Sequence, residues 1–328
     1  MAESLKEYTG KNLLKPADGL EPYIPDDSLV QAVAYARALG RPLLLKGEPG
    51  CGKTLLAKAV AHELFGNNYK TYYFSWPVKS TSKAADGLYI FDHIARLRDA
   101  QLTRFRKTEP EEDHKKETEE ERSRKEREQN KNYRKFGALG EAFRVAVQEK
   151  IASVVLIDEI DKADIDFPND LLHELDEMHF AIPETGESFA VERQCRPFIV
   201  ITSNDEKELP VAFLRRCVFH YIEFPDEKIL AKIVKANFNK LPEKLLKIAV
   251  ERFRSIRQRM EQEGITDKKI STSELKDWVN IIEYQLVNGL VKEEDIIAEL
   301  GEESSLPFFQ VLLKTVNDQK QFIPTRNT

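Results

Sequence analysis

The chain has 328 residues, with 56 acidic against 50 basic side chains (net charge −6), 41% hydrophobic and 9% aromatic residues. That length exceeds the usual single domain and the apolar content suffices for globular cores, while the acidic balance argues against a general nucleic-acid coat. The three cysteines, Cys51, Cys195 and Cys217, are far apart and lack metal-ligand spacing, which reads as reduced thiols in a cytosolic protein.

The N-terminal stretch MAESLKEYTGKNLLKPADGL lacks the apolar core of a signal peptide. No later run approaches the roughly 18–20 apolar residues of a membrane helix, so a soluble, cytoplasmic chain with no membrane partner is expected. Five continuous apolar runs then predict buried strands of a parallel sheet: PLLLK (42–46), KTYYFSW (70–76), SVVLIDE (153–159), PFIVITSN (197–204) and FHYIEF (219–224). Helical patterns such as KTLLAKAVAHELF (53–65) and FPNDLLHELDEM (167–178) separate several of them, and this alternation implies an α/β fold with helices on both faces of the sheet. Between the second and third runs, residues 106–135 carry ten acids and eleven bases with Tyr133 as the only aromatic. Such a stretch cannot bury a core, so it is an insertion, either a solvated helix pair or a mobile loop. Beyond FPDEK (224–228) the pattern turns helical. Apolar residues at 246, 249, 253, 256 and 260 form one stripe, and Ser271 and Glu274 stand at capping-box spacing before a helix ending near Asn288-Gly289. The expected organisation is an N-terminal segment (1–22), an α/β domain (23–225, insertion about 93–137) and an all-helical domain (226–328).

GEPGCGKT (47–54) fits G-x-x-x-x-G-K-[ST] between a strand and a helix, the context a phosphate-binding loop requires. Gly47, Gly50 and Gly52 let backbone N–H groups point at phosphate oxygens, and Glu48, Pro49 and Cys51 fill the free positions of the loop. Lys53 is expected to reach the β- and γ-phosphates of ATP, and the Thr54 hydroxyl to ligate Mg²⁺. No nucleophilic role is expected of Cys51, although its alkylation would block the site. In VVLIDEIDKAD (154–164), Asp158 emerges at a strand's C-terminal end and would hold Mg²⁺ through water, while Glu159 would orient and deprotonate the attacking water. The bland alternative is that DEID at a strand end only caps the next helix. Asn204, closing FIVITSN, can donate to a γ-phosphate and accept from water, although strands also end in Asn for turn geometry.

VAFLRRCVF (211–219) sets Arg215 and Arg216 inside an apolar run with no carboxylate, which suggests an anion held elsewhere. The bland alternative is an internal salt bridge, for instance to Glu223.

Taken together, LLLKGEPGCGKTLLAKAVA, IDEIDKADIDFPNDLLHELDE, IPETGE and ITSNDEKELPVAFLRRC resemble the MoxR-type branch of the AAA+ ATPases. The resemblance spans roughly 23–280 and is most specific over 42–224. It implies a P-loop core with a five-stranded parallel sheet and a small helical lid, assembled as a homo-oligomeric ring, usually hexameric, with ATP bound between subunits. It further implies that Arg216 is an arginine finger reaching the neighbour's γ-phosphate, with Arg215 as a helper. The 106–135 run becomes the tip of the branch's substrate-facing insert, and 178–193 its hairpin, turning near Thr185-Gly186. One departure stands out: DKKISTSELKDW lacks the arginine that many relatives place at the start of a lid helix, so that either Lys268 or Lys269 substitutes or the contact is absent, with Ser271–Glu274 as a helix cap. The implied activity is ATP-driven remodelling of a protein partner, possible partners including von Willebrand factor A-domain proteins. The alternatives are a slow nucleotide-gated scaffold in a signalling or defence complex, or a DNA-directed motor akin to clamp loaders or to restriction-associated relatives; net acidity and the lack of an aromatic–basic stacking surface disfavour nucleic acid.

Overall fold

The computed structural model describes residues 7–11, 20–106, 118–263, 269–302 and 305–322. Among the described residues, nine strands lie in three sheets. The central one runs β2 (Tyr73–Pro77), β5 (Val154–Asp158), β8 (Phe198–Ser203), β1 (Leu43–Gly47), β9 (Val218–Ile222), and its β2–β5 and β5–β8 pairs are parallel. All five coincide with the predicted runs to within a few residues. Burial follows position in the sheet. β8 is buried throughout and β1 and β5 nearly so, whereas β2 and β9 close the two edges and stay half-exposed, with Phe219 at 54%. The expectation of five buried strands therefore fails at the edges. A continuous apolar run shows that a strand can be covered, and its place in the sheet order decides whether it is.

The chain divides into two compact units, 1–31 with 46–63 and 221–328, and 32–45 with 64–220. The second contains most of the sheet, with helices α3 (His93–Arg106), α4 (Glu119–Asn130), α5 (Ala138–Gln148), α6 (Phe167–Glu177) and the four-residue α7 (Val211–Leu214). Its core joins Leu44, Val155, Ile157, Ile199 and Ile201 to Phe143 and Phe213. The first contains α2 (Lys53–Phe65) up to Glu63, and α8 (Glu227–Asn237), α9 (Glu243–Glu263), α10 (Thr272–Val287) and α11 (Glu293–Gly301). A separate core of Leu245, Ala249, Phe253, Trp278 and Ile282, with Leu230 and Ile296, holds α8, α9, α10 and α11, and the Trp278 indole N–H donates to the Pro307 carbonyl at 2.7 Å. Helix α1 (Asp27–Leu39) spans the division.

Local chemistry sets the helix starts. Asp226 accepts from the Ile229 N–H at 2.8 Å to begin α8. At α10 the Ser271 N–H donates to Glu274 at 3.0 Å and the Ser271 hydroxyl accepts from the Ser273 N–H at 3.2 Å, so this pair is a helix cap.

The insertion of about 93–137 contains α3 and α4, but of full α-helices the charged run 106–135 itself holds only α4 among its described residues, and its residues 107–117 lie outside them. Its base is closed by β3 (Tyr89–Phe91) pairing antiparallel with β4 (Arg134–Phe136). The predicted hairpin is also present, as β6 (His179–Ile182) and β7 (Glu187–Ala190), turning at Thr185-Gly186. Insertion and hairpin are joined: the buried Asn130 amide donates to the Glu184 carbonyl at 2.7 Å, the Tyr89 phenol donates to the Glu184 carboxylate at 3.1 Å, and Arg134 pairs with Glu187. Phe136, Phe180 and Phe189 pack beneath these contacts. Among the described residues no helix is long and apolar enough to cross a membrane.

Candidate nucleotide site

The loop 47–54 leaves the C-terminal end of β1 and opens α2. Two of its glycines are required by shape. Gly50 has φ +77°, and a Cβ there would stand 2.3 Å from the Ser271 hydroxyl oxygen. Gly52 has φ +92°, and a Cβ would stand 3.0 Å from the Tyr23 ring. The Lys53 side chain is buried and curls back on the loop, its ammonium donating to the carbonyls of Gly47 (2.8 Å) and Glu48 (3.0 Å). Those two acceptors hold a cation in a place where a phosphate oxygen can replace them. Cys51 is half-buried and its thiol is held above the usual range, chiefly by desolvation, consistent with an inert side chain. Within the same unit a cavity of about 260 Å³ is lined by Tyr23, Ile24, Gly50, Phe224, Ile229 and Ser273 among others, a mixed apolar and polar lining suited to a flat heterocycle. Burial raises the Tyr23 phenol well above its ordinary range, keeping it neutral.

Sequence reasoning missed Arg257. Its side chain is only 6% exposed; the guanidinium meets the Glu48 carboxylate at 2.5 Å, donates to the Ile270 carbonyl and lies 3.6 Å from the centre of the Phe224 ring. Lys269 stands 3.6 Å from the same Glu48, and Lys268 lies outside the described residues. The signal was available: Phe253, Arg257 and Met260 share one helical face, so a cation stands in an apolar stripe. A phosphate-loop carboxylate thus engages a buried arginine of α9. Arg257→Ala is expected to lower unfolding free energy by about 2–4 kcal/mol, because it strands Ile270 and leaves Glu48 to Lys269 alone. Urea titration checks this, and adding Glu48→Gln to the same chain should recover part of the loss.

In the other unit, the Thr202 hydroxyl donates to Asp158 at 2.7 Å and accepts from the Glu159 N–H at 2.8 Å. Glu159 is left-handed (φ 60°, ψ 53°), a costly conformation for a residue with a side chain, and these bonds hold it there. Its carboxylate accepts from the Asn204 amide at 3.1 Å and pairs with Lys162. Asn204 is placed in turn by Asp161, only 2% exposed, which accepts from the backbone N–H groups of Asn204 (3.0 Å) and Glu206 (2.9 Å). Asp158, Glu159 and Asn204 are therefore brought into one network. Thr202 and Asp161, its organisers, were not singled out from the sequence, since a Thr inside a buried strand and an Asp opening a short helix carry no distinctive pattern.

Arg215 and Arg216 follow α7 and are both exposed, although they stand inside an apolar run. Phe213 and Cys217 are the buried members of that run, and the arginines project between them. Arg216 pairs with Asp176 at 2.6 Å, not with Glu223, and both side chains are nearly half exposed. An ion pair so wet contributes about 0–1 kcal/mol and opens readily. Arg215 has no ion-pair partner among the described residues.

A glycine-shaped phosphate loop after β1, and an acid pair closing the parallel strand β5, define the class: a P-loop nucleoside-triphosphate-binding α/β fold. Residues 42–217, more than half of the chain, match the AAA domain (dynein-related subfamily), and the chain belongs to that family. Solved structures similar to it include the RuvB Holliday junction branch migration motor of Thermotoga maritima (14% identity, 90% of this chain and 71% of that one, TM-score 0.46). Domain III of the Thermotoga maritima replication initiation protein DnaA is another (16% identity, 84% and 91%, TM-score 0.44). A variant RuvB also matches at 14% identity over 83% of this chain, which spans 66% of that protein's length, with TM-score 0.45. No curated protein matches the sequence.

Proposed function

We propose that the chain is an ATP-hydrolysing subunit of a MoxR-type ring that remodels a protein partner. The observation that carries hydrolysis is the left-handed Glu159, held by Thr202 and Asn204 with its carboxylate restrained at a strand's end. Strain is kept at a carboxylate where a fixed general base is useful. The residues fit nucleotide and metal: Gly50 and Gly52 leave room that a side chain would fill, and Lys53 rests on carbonyls. Thr54 and Asp158 would hold Mg²⁺, which usually relies on one or two protein oxygens plus the phosphates. The ion, when bound, neutralises charge on the phosphates. Lys53 exchanges its carbonyls for phosphate oxygens, Glu159 orients water and takes its proton, and Asn204 fixes the Glu159 rotamer. Arg216, weakly held by Asp176, is free to serve a neighbouring subunit's nucleotide. The MoxR-type assignment is supported by the motif phrases over 42–224 and by an insertion braced against the hairpin.

The test is the ATPase rate against protein concentration, together with an equimolar mixture of two inactive variants. Lys53→Ala loses charge-assisted bonds to phosphate and should bind ATP at least about a hundredfold more weakly. Arg216→Ala should bind ATP normally. In a shared site the mixture regains part of the activity, because intact Lys53 in one subunit meets intact Arg216 in the next. A mixture that stays inactive, with a wild-type rate independent of concentration, would replace the ring with a nucleotide-gated switch acting as single subunits.

A further inference from the structure

Helices α8 and α9 border a groove of about 750 Å³ outside the residues assigned to nucleotide. Its floor is apolar, formed by Ala231, Phe238, Leu246 and Val250. Its rim is basic: Lys228, Lys232 and Lys235 share one face of α8, and Lys244 and Lys247 stand on α9. Neither acid at the groove is free, since Glu227 pairs with Arg254 and Glu243 lies 3.1 Å from Lys235. Lys247 has Glu251 at 3.8 Å, while Lys228, Lys232 and Lys244 have no ion-pair partner among the described residues. A shallower hollow of about 470 Å³ shares Lys232 and Lys235 and adds Lys11, which extends the basic edge. This concentration of cations stands out in a chain whose net charge is −6.

An apolar trough between two helices, edged by lysine stems that lengthen the floor and ammonium groups that stay in water, has the form of a helix-binding groove. We propose that it seats an acidic amphipathic helix of a protein partner, apolar face on the half-buried Ala231 and Phe238, carboxylates on Lys228, Lys232 and Lys244. Charge selects this occupant: a basic helix meets the lysines as like charges, and a polyanion without apolar side chains leaves the floor uncovered.

The experiment uses the full chain and a fluorescein-labelled synthetic helix of about 18 residues, five turns, with leucines on one face and glutamates elsewhere. Two control peptides are a scramble of equal composition that loses the apolar face and a version with lysine for glutamate. Saturable one-to-one binding is expected, weakening with salt, with both controls at least about tenfold weaker. The triple variant Lys228→Glu/Lys232→Glu/Lys244→Glu should bind the peptide at least about tenfold more weakly while melting and ATP binding are unchanged. Ala231→Gln, which keeps the rim and makes the floor bulkier and polar, should weaken it as well, and serves alone if the triple variant does not fold. Equal binding of the scramble or of a DNA duplex, no binding, or binding indifferent to these variants would overturn the proposal. Sedimentation velocity covers the remaining occupant: self-association of the wild type that the variants abolish would assign the groove to a second copy of the chain. Nucleotide binding measured on the same samples separates this outcome from a failure of the ATPase proposal.

Discussion

Arg216→Ala should lower ATP turnover by about a thousandfold or more while leaving ATP affinity within a few-fold of wild type. A guanidinium delivered to a γ-phosphate stabilises charge that spreads over the equatorial oxygens in the transition state, so its loss is felt in kcat and hardly in binding. The geometry around Arg216 is consistent with that task. Its partner Asp176 is nearly half exposed, so releasing the arginine costs little, and Phe213 anchors the short helix before it. Arg216→Lys should recover only a small part of the rate, because a single ammonium cannot reproduce the planar fork. Single-turnover kinetics with binding measured in parallel distinguishes the outcomes: a large rise in Kd with little change in kcat would place Arg216 in ground-state binding instead. Asp176→Asn supplies a second check. It frees Arg216 without touching it, so turnover should be kept or raised; a loss as large as that of Arg216→Ala would make the ion pair itself the structural requirement.

Glu159→Gln is expected to reduce turnover by about 10²–10⁴-fold, the contribution of a positioned general base, with ATP binding retained. The substitution is structurally mild. Glutamine has the same size, its amide oxygen can still accept from Asn204, and the backbone keeps its Thr202 bond. What is lost is the basic oxygen and the Lys162 pair. A stable, ATP-loaded protein that turns over slowly should accumulate, visible as ATP that stays bound through gel filtration. Near wild-type turnover would remove Glu159 from proton transfer. Thr202→Val should then lower turnover more modestly and without a change in ATP affinity, because it removes the two bonds that hold Asp158 and the left-handed Glu159 in place.

Both predictions concern residues visible in the sequence, and the reason lies in the chemistry. A loop that wraps phosphate needs glycines where the backbone turns to positive φ, a lysine at fixed spacing and a helix starting at once; these constraints are local, so Gly50, Gly52 and Lys53 are legible in a string of eight letters. The five strands are legible because a strand that can be covered on both faces is an unbroken apolar run, and the helix cap at Ser271 because its bonds close within three residues. The order β2-β5-β8-β1-β9 is not written in any one segment, and it decides that the runs at β2 and β9 are edges. The partners of charged groups were equally hidden. Arg257 finds Glu48 across 209 positions of sequence, Thr202 finds Asp158 across 44, and Arg216 finds Asp176 rather than Glu223. Motifs constrain what a residue can do through neighbours a few positions away, and the sequence by itself settles that much: a phosphate loop, an acid pair at a strand's end and a helical C-terminal region. Which cation meets which carboxylate, which strand is left at an edge and which helix face stays open depend on contacts between distant segments, and only the tertiary structure brings those together.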